Sequence, residues 1–487
     1  LLLLLILSFF SAQSFAGSCP DGSEPVKSVS ADGTYFVYNC GGSATSSTNT
    51  GSWNDPGPLD ELTIPDNWQL FKYKKTLREA RKIFKLIRYS AFTKPGNAYE
   101  KTCLNVAKDW RKSMELYNSG KKQADDDTAF GSDNQDMPAD LQNCLDKLIY
   151  TTQNYTGTPD YMKEILLHWA KTDAVFIPSG VKDENWGNYV YEAVQSWSSF
   201  GSYYGTFYDE FNYSDAERKI VDAYIKDKLL NVNTRNQTQK GRQACDPDNL
   251  ERTVEGQLNF PGVDPNTCGS SVWKTTLAQL LVGLRLNDKA LFKKGVENTK
   301  YQLSFFDDTG IFTTWAIKGA SAYQYTSSVP VMLGGLTEIY ASIGYDFMEH
   351  KLRNGLSVKE LMDRQYEILL DPHILDDYVK RYPIAYRGVP NSVYIQSSAE
   401  RIRNDTDMNL FAFVRNLPRY IDTYRADIGN SQEFDKKLSS QPQEVWEKVP
   451  WKSLGNFSPI DPYLVYVSDI KEPESKTKVA SELSIFE

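Results

Sequence analysis

Histidine is almost missing from this chain: His168, His350 and His373 are the only three in 487 residues. None of the six cysteines forms a CxxC pair, and no Cys/His cluster has the spacing of a zinc site. No zinc-type metal site is therefore expected. Blocks of like charge are also absent. The net charge is −9 and acids and bases are interspersed, which argues against nucleic acid as the main partner. Beyond the first residues no second long apolar run occurs, so nothing there would anchor the chain in a bilayer. A repeat of fixed period is lacking too, which counts against an α-solenoid.

What is present begins with an almost unbroken apolar run, Leu1 to Phe10. It is shorter than the roughly 20 residues a membrane-crossing helix needs, and small residues at Ser14 and Ala16 fit the cleavage rule of a signal peptide. The expectation is export to a secreted or periplasmic location, with 1–16 as the signal. Cys19, Cys40, Cys103, Cys144, Cys245 and Cys268 all follow it, an even number that reads as structural disulfides. Nearest-neighbour pairing (Cys19–Cys40, Cys103–Cys144, Cys245–Cys268) is the simplest of fifteen possibilities.

Residues 17–58 form a distinct head and linker. Gly33 to Tyr38 reads as a strand after an Asp-Gly turn, and Gly41 to Pro58 is rich in Gly, Ser, Thr and Asn. From 59 to 470 the texture is helical, and 471–487 is a polar tail. Helical spacing of apolar residues predicts a helix over Trp68–Tyr89, and others near 100–118, 138–153, 158–172, 186–208, 214–230, 271–286, 288–305, 326–344 and 356–369. Ser214 and Asp215 carry capping chemistry, and Gly344 ends a helix. So many helices on short loops predict a mainly α fold, an incomplete (α/α) barrel or toroid with a small disulfide-stapled N-terminal head. The segment 231–271 breaks the rhythm with a long polar loop holding two of the cysteines.

The most informative stretch runs from Asp307-Asp308-Thr309-Gly310 through Trp315, Lys318-Gly319, Tyr323 and Tyr325 to an apolar helix and Gly344-Tyr345-Asp346. Before it come Trp273 and Asn287-Asp288-Lys289-Ala290-Leu291-Phe292. This order resembles the alginate-lyase family of polysaccharide lyases: a Trp helix, an N-D-x-x-L-F helix, a D-x-x-G turn, an Arg-Gly pair, a Tyr seven residues on, a long apolar helix and G-x-D. The matching positions are Trp273, Asp288, Asp308, Gly310, Lys318, Gly319 and Tyr325. Convincing similarity spans about 185–346.

The resemblance implies β-elimination on a 4-linked polyuronate, alginate or a glucuronan-like polymer, by a monomer needing no cofactor. That chemistry needs charge neutralisation at the C6 carboxylate, removal of the C5 proton and protonation of O4. Tyr325 would be acid and base, with Lys318 as the cation that lowers its pKa. Lysine replaces the family's usual arginine and lacks the bidentate fork. The family's Asn-Asn-His motif is also missing, with Gly269-Ser270-Ser271 in its place. Asn185-Trp186-Gly187-Asn188-Tyr189 opens an earlier helix and offers a substitute: Asn188 as neutraliser and Tyr189 as a second base. Asn185, Trp186, Arg252, Trp273, Tyr323 and Arg419 are the substrate-binding candidates. An α/α-toroid glycoside hydrolase and a non-catalytic glycan-binding protein are the competing readings; Tyr- and Trp-rich composition, 13% aromatic, suits sugar stacking in all three.

Overall fold

The computed structural model describes residues 26–29, 36–39, 58–73, 160–175, 187–232, 251–252, 258–259, 272–317, 322–381, 410, 413–439, 460 and 462–470. All six cysteines, with the disulfide staple, and the expected helices near 100–118 and 138–153 lie outside them. The chain divides into two compact units, 1–52 and 53–487. In the first, β1 (Val26–Val29) and β2 (Phe36–Asn39) form an antiparallel pair with Val29 opposite Phe36.

The second unit is mainly helical: α1 (Asp160–Thr172), α2 (Gly187–Thr206), α3 (Asp215–Asn231), α4 (Val272–Arg285), α5 (Lys289–Leu303), α6 (Thr313–Ala316), α7 (Ala322–Thr326), α8 (Val329–Ser342), α9 (Val358–Leu370), α10 (Asp376–Arg381), α11 (Pro418–Tyr424), α12 (Ser431–Ser439) and α13 (Pro462–Asp469). Between α3 and α4 a minimal pair, β3 (Glu251–Arg252) with β4 (Leu258–Asn259), interrupts the helices. Among the described residues no helix is long and apolar enough to cross a membrane. One expected element differs. Trp68 to Tyr73 is irregular, not the start of a helix. Trp68 is held there by an indole N–H bond to Ser342 Oγ, 2.9 Å, and by the Arg285 guanidinium over its ring.

Local signals set the helix ends. Ser214 and Ser357 each complete a capping box, with Glu217 and Glu360 respectively, satisfying amide groups that the first turn leaves unpaired. Asp288 caps α5 by accepting from Leu291 N. Gly344, at φ +83°, ends α8 in the left-handed conformation that favours glycine.

The centre is α4, which lies along both α2 and α5. Residues 273 and 275–284 are buried, as befits a helix apolar nearly all round. Leu277, Leu280, Leu281 and Leu284 join one core with Leu333, Leu336 and Phe305. Ala278 and Val282 join a second with Trp169, Tyr204, Ile225 and Leu229. Each leucine so buried contributes about 2 kcal/mol. The polar groups of α4 are satisfied by its neighbours. Thr275 bonds Ser198 on α2 at 2.7 Å, while Gln279 donates to the Leu229 carbonyl of α3 and accepts from Asn298 of α5.

A second clamp joins α8, α11 and α13. Arg419 forks onto buried Glu338 (2.7 Å) and also reaches Asp469 (2.7 Å), which pairs with Lys72. Burial pushes Glu338 up to about 7, against the pull of Arg419. The fold therefore favours protonated Glu338 more than the unfolded chain does. Its contribution is present below the unfolded value and is lost as pH rises through about 7. The stability of the native protein relative to Glu338→Gln should rise by up to roughly 3 kcal/mol from pH 8 to pH 4.5, read as paired urea titrations; a difference flat with pH would contradict it.

Close approach fixes where α8 sits. A Cβ built on Gly334 falls 1.8 Å from the Asn416 carbonyl oxygen. Gly334→Ala should cost about 3 kcal/mol or more, because backbone must move, whereas Gly344→Ala, in open space, should cost only about 1 kcal/mol from its positive φ. Chemical denaturation of the two variants separates the effects.

Candidate functional site

Residues 305–317 build a tight turn whose organiser is Asp307. Its Oδ1 accepts from Thr309 N (2.9 Å), Thr309 Oγ1 (2.6 Å) and Ile311 N (3.1 Å), and its Oδ2 accepts from the Tyr378 hydroxyl. Gly310 takes φ +78°, and an isolated bridge pairs Phe306 with Phe312. Burial pushes the Asp307 carboxyl up, while these donors pull it down. The turn's acid is thus Asp307 and not Asp308, which is exposed. Trp315 is buried at the end of this turn, edge-on to Phe312.

From here the chain reaches α7, which carries both motif tyrosines. Ser327 N bonds Tyr323 O (2.9 Å) and Ser328 N bonds Tyr325 O (3.0 Å), so the backbone runs on into α8 with Pro330 in its first turn. Tyr325 is partly buried against the main core. Burial pushes the Tyr323 hydroxyl up from its ordinary value.

Tyr323, Thr326, Ser327 and Pro330 form one wall of a small cleft. Gln365, Ile368 and Leu369 of α9 form another, and Phe413 and Asn416 complete it. Gln365 is 3% exposed and Thr326 0%. Among the described residues neither Gln365 Nε2 nor Thr326 Oγ1 has a hydrogen-bond partner, which is costly for buried polar atoms unless water completes them.

The other candidates are distributed differently. Lys318, Asn185 and Trp186 lie outside the described residues. Asn188 and Tyr189 do open α2, and Arg252 does belong to β3, but their side chains are outside the description. Trp273 is 3% exposed in the core at the start of α4, so its ring offers no face to a sugar. Arg419 is committed to Glu338 and Asp469, with its guanidinium over Tyr466; a structural clamp replaces the expected substrate contact. His168 is exposed on α1 while Trp169 beside it is buried. No group of three His, Cys, Asp or Glu among the described residues is placed to hold a metal ion.

Sequence reasoning missed Gln365, Thr326, Phe413 and Asn416. One of them had a legible signal. Gln365 sits in the apolar stripe of α9 between Leu361, Met362, Ile368 and Leu369, where a polar residue needs a reason.

No family model matches the chain, and no curated protein matches it. Solved structures do. One is alginate lyase A1-III from Sphingomonas species A1, 15% identical over 50% of this chain and 61% of that one, with a TM-score of 0.37. Another is an alginate lyase A1-III complexed with tetrasaccharide, 14% identical over 66% of this chain and 83% of that one, with a TM-score of 0.42. In the first of these the chain spans about three fifths of the structure's length.

The Asp307 turn is the firmest part of the region. Tyr378→Phe should cost about 2 kcal/mol by removing the hydroxyl from a buried carboxylate, and Asp308→Asn less than about 0.5 kcal/mol, both measured by thermal unfolding.

Proposed function

We infer that the protein is a polysaccharide lyase that opens 4-linked uronate linkages by β-elimination. The observation that supports this reading is the placement of Tyr325 on α7, partly buried against the main core and seven residues after Lys318 in the motif order. One tyrosine can take the C5 proton and return one to O4, provided both lie on the same sugar face. Lys318, seven residues earlier, supplies the positive charge that makes the phenolate accessible. Asn188, at the start of α2, is the proposed carboxylate neutraliser, using its amide together with the helix N-terminus, and Tyr189 is a second proton-transfer candidate.

The order of Trp273, Asp288, Gly310, Lys318 and Tyr325 supports the same family of chemistry, with the helices closing into an incomplete toroid. Alginate is the first substrate to try and glucuronan the second, for a monomer acting without cofactor. Inverting hydrolysis needs two carboxylates across the bond, and no Asp or Glu is among the described residues that line the cleft. Export, with three disulfides, completes the proposal: a polymer is met outside the cell that makes the enzyme.

Incubation with alginate or glucuronan should release products that absorb in the ultraviolet through a new C4–C5 double bond. Tyr325→Phe should lower the rate about 100-fold or more, and Lys318→Ala should shift the ascending limb of the pH–rate profile to higher pH. New reducing ends without ultraviolet absorbance would replace the lyase with a hydrolase.

A further inference from the structure

Asn212-Tyr213-Ser214 spells Asn-x-Ser, the tripeptide that accepts N-linked oligosaccharide in exported chains. Asn154, Asn236, Asn404 and Asn456 open the same pattern and lie outside the described residues. Such tripeptides are common, so what matters is where the fold puts this one.

It sits in the turn that leads into α3. Phe211 and Tyr213 are buried, 1% and 7% exposed, and their rings stack 5.4 Å apart at 19°. The Tyr213 hydroxyl donates to the Lys163 carbonyl of α1 at 2.8 Å, and Lys163 Nζ donates to the Asn212 carbonyl at 2.7 Å. With both neighbours held inward, Asn212 is turned out to solvent at φ +46°, a left-handed conformation that asparagine tolerates better than most residues. Ser214, Asp215 and Ala216 beside it are exposed as well.

Each end of the tripeptide has a structural reason of its own. The turn calls for asparagine, and the capping box of α3 calls for Ser214, whose Oγ donates to Glu217 Oε2 at 2.9 Å and accepts from Glu217 N. Two positions apart, those two needs together write an acceptor, and the fold leaves its asparagine in water.

We propose that Asn212 is a site of N-linked glycosylation. The donor is an oligosaccharide carried on a lipid diphosphate. The Asn212 amide nitrogen bonds to the anomeric carbon, and the bond from that carbon to the diphosphate breaks. The lipid diphosphate leaves with the electron pair, and the amide proton passes to a base of the transferase. Transfer precedes closure of the cap, because in the folded protein Ser214 Oγ is taken by Glu217 and Tyr213 is packed. Afterwards the sugar projects from an exposed turn beside α1 and α3 and displaces no packed side chain. This rests on the export reading, since only a chain that enters a secretory pathway meets the donor.

The test is site-resolved mass spectrometry of the full chain, secreted from a eukaryotic host behind that host's leader, before and after enzymatic removal of N-glycans. Most copies of the peptide containing Asn212 should carry a glycan. Asn212→Gly, which suits the positive φ, should lose it and fold normally. Ser214→Asp keeps a good N-cap but breaks the tripeptide, and should lose the glycan too. Ser214→Thr keeps both cap and tripeptide and should stay modified. An unmodified Asn212 in the secreted native sequence, or a glycan at 212 that persists in Ser214→Asp, would overturn the proposal. The export reading is judged separately, by whether the chain leaves the cell when residues 1–16 are its only leader.

Discussion

Everything described in the larger unit depends on burying α4 on all sides. A helix with the sequence VWKTTLAQLLVGLR has no face to give to water, so two layers of structure must close over it. The leucines at 277, 280, 281 and 284 take one core and Ala278 and Val282 the other. Its polar side chains then become connectors. Gln279 satisfies one of the carbonyls that α3 leaves open at its C-terminal end, and Arg285 reaches the Gly205 carbonyl near the end of α2 at 3.0 Å. Lys294 of α5 donates to the Leu230 carbonyl, with burial lowering its pKa. The ends of two helices are thus finished by side chains from the next two. Packing and hydrogen bonding here are one constraint, because α2 and α3 cannot be correctly terminated without α4 and α5 in register.

From that frame the candidate site follows by chain connectivity. The Asp307 turn redirects the chain after α5, α7 follows and α8 enters the core again. Gly334 lets α8 meet the segment carrying Asn416, and Asn416 lines the cleft. The Glu338–Arg419–Asp469 clamp secures α11 and α13 against the same helix. The described walls of the cleft are consequently set by helix packing, which is the arrangement that holds groups most closely.

Much of this was legible in the sequence where local physics decides. Ser214 with Asp215, and Gly344, announced helix ends, and the structure has a cap at the first and a left-handed residue at the second. Trp68 failed because its apolar spacing looked helical while its indole is tied to Ser342, 274 positions away; periodicity carries no trace of such a partner. Arg419 misled for the same reason. An isolated arginine reads as available, and only tertiary structure places Glu338 under it. Asp308 was taken for the turn residue when Asp307 was the one with an inward side chain, although the D-x-x-G spacing counted back from Gly310 falls on Asp307. Gln365 was recoverable in principle, as a polar interruption of an apolar stripe. Its missing partner was not, since that requires knowing what surrounds it.

The position of α4 in the chain also shapes how the protein is made. Synthesis proceeds from the N-terminus at about 5–20 residues per second, and α4 and α5 follow α3 only after the long stretch from 232 to 271. For several seconds α2 and α3 have emerged with their apolar faces uncovered and their last carbonyls unfinished. Their partner does not yet exist. During that interval the growing chain is a ready client for chaperones, and its commitment to the native state waits on the arrival of Arg285 and Lys294.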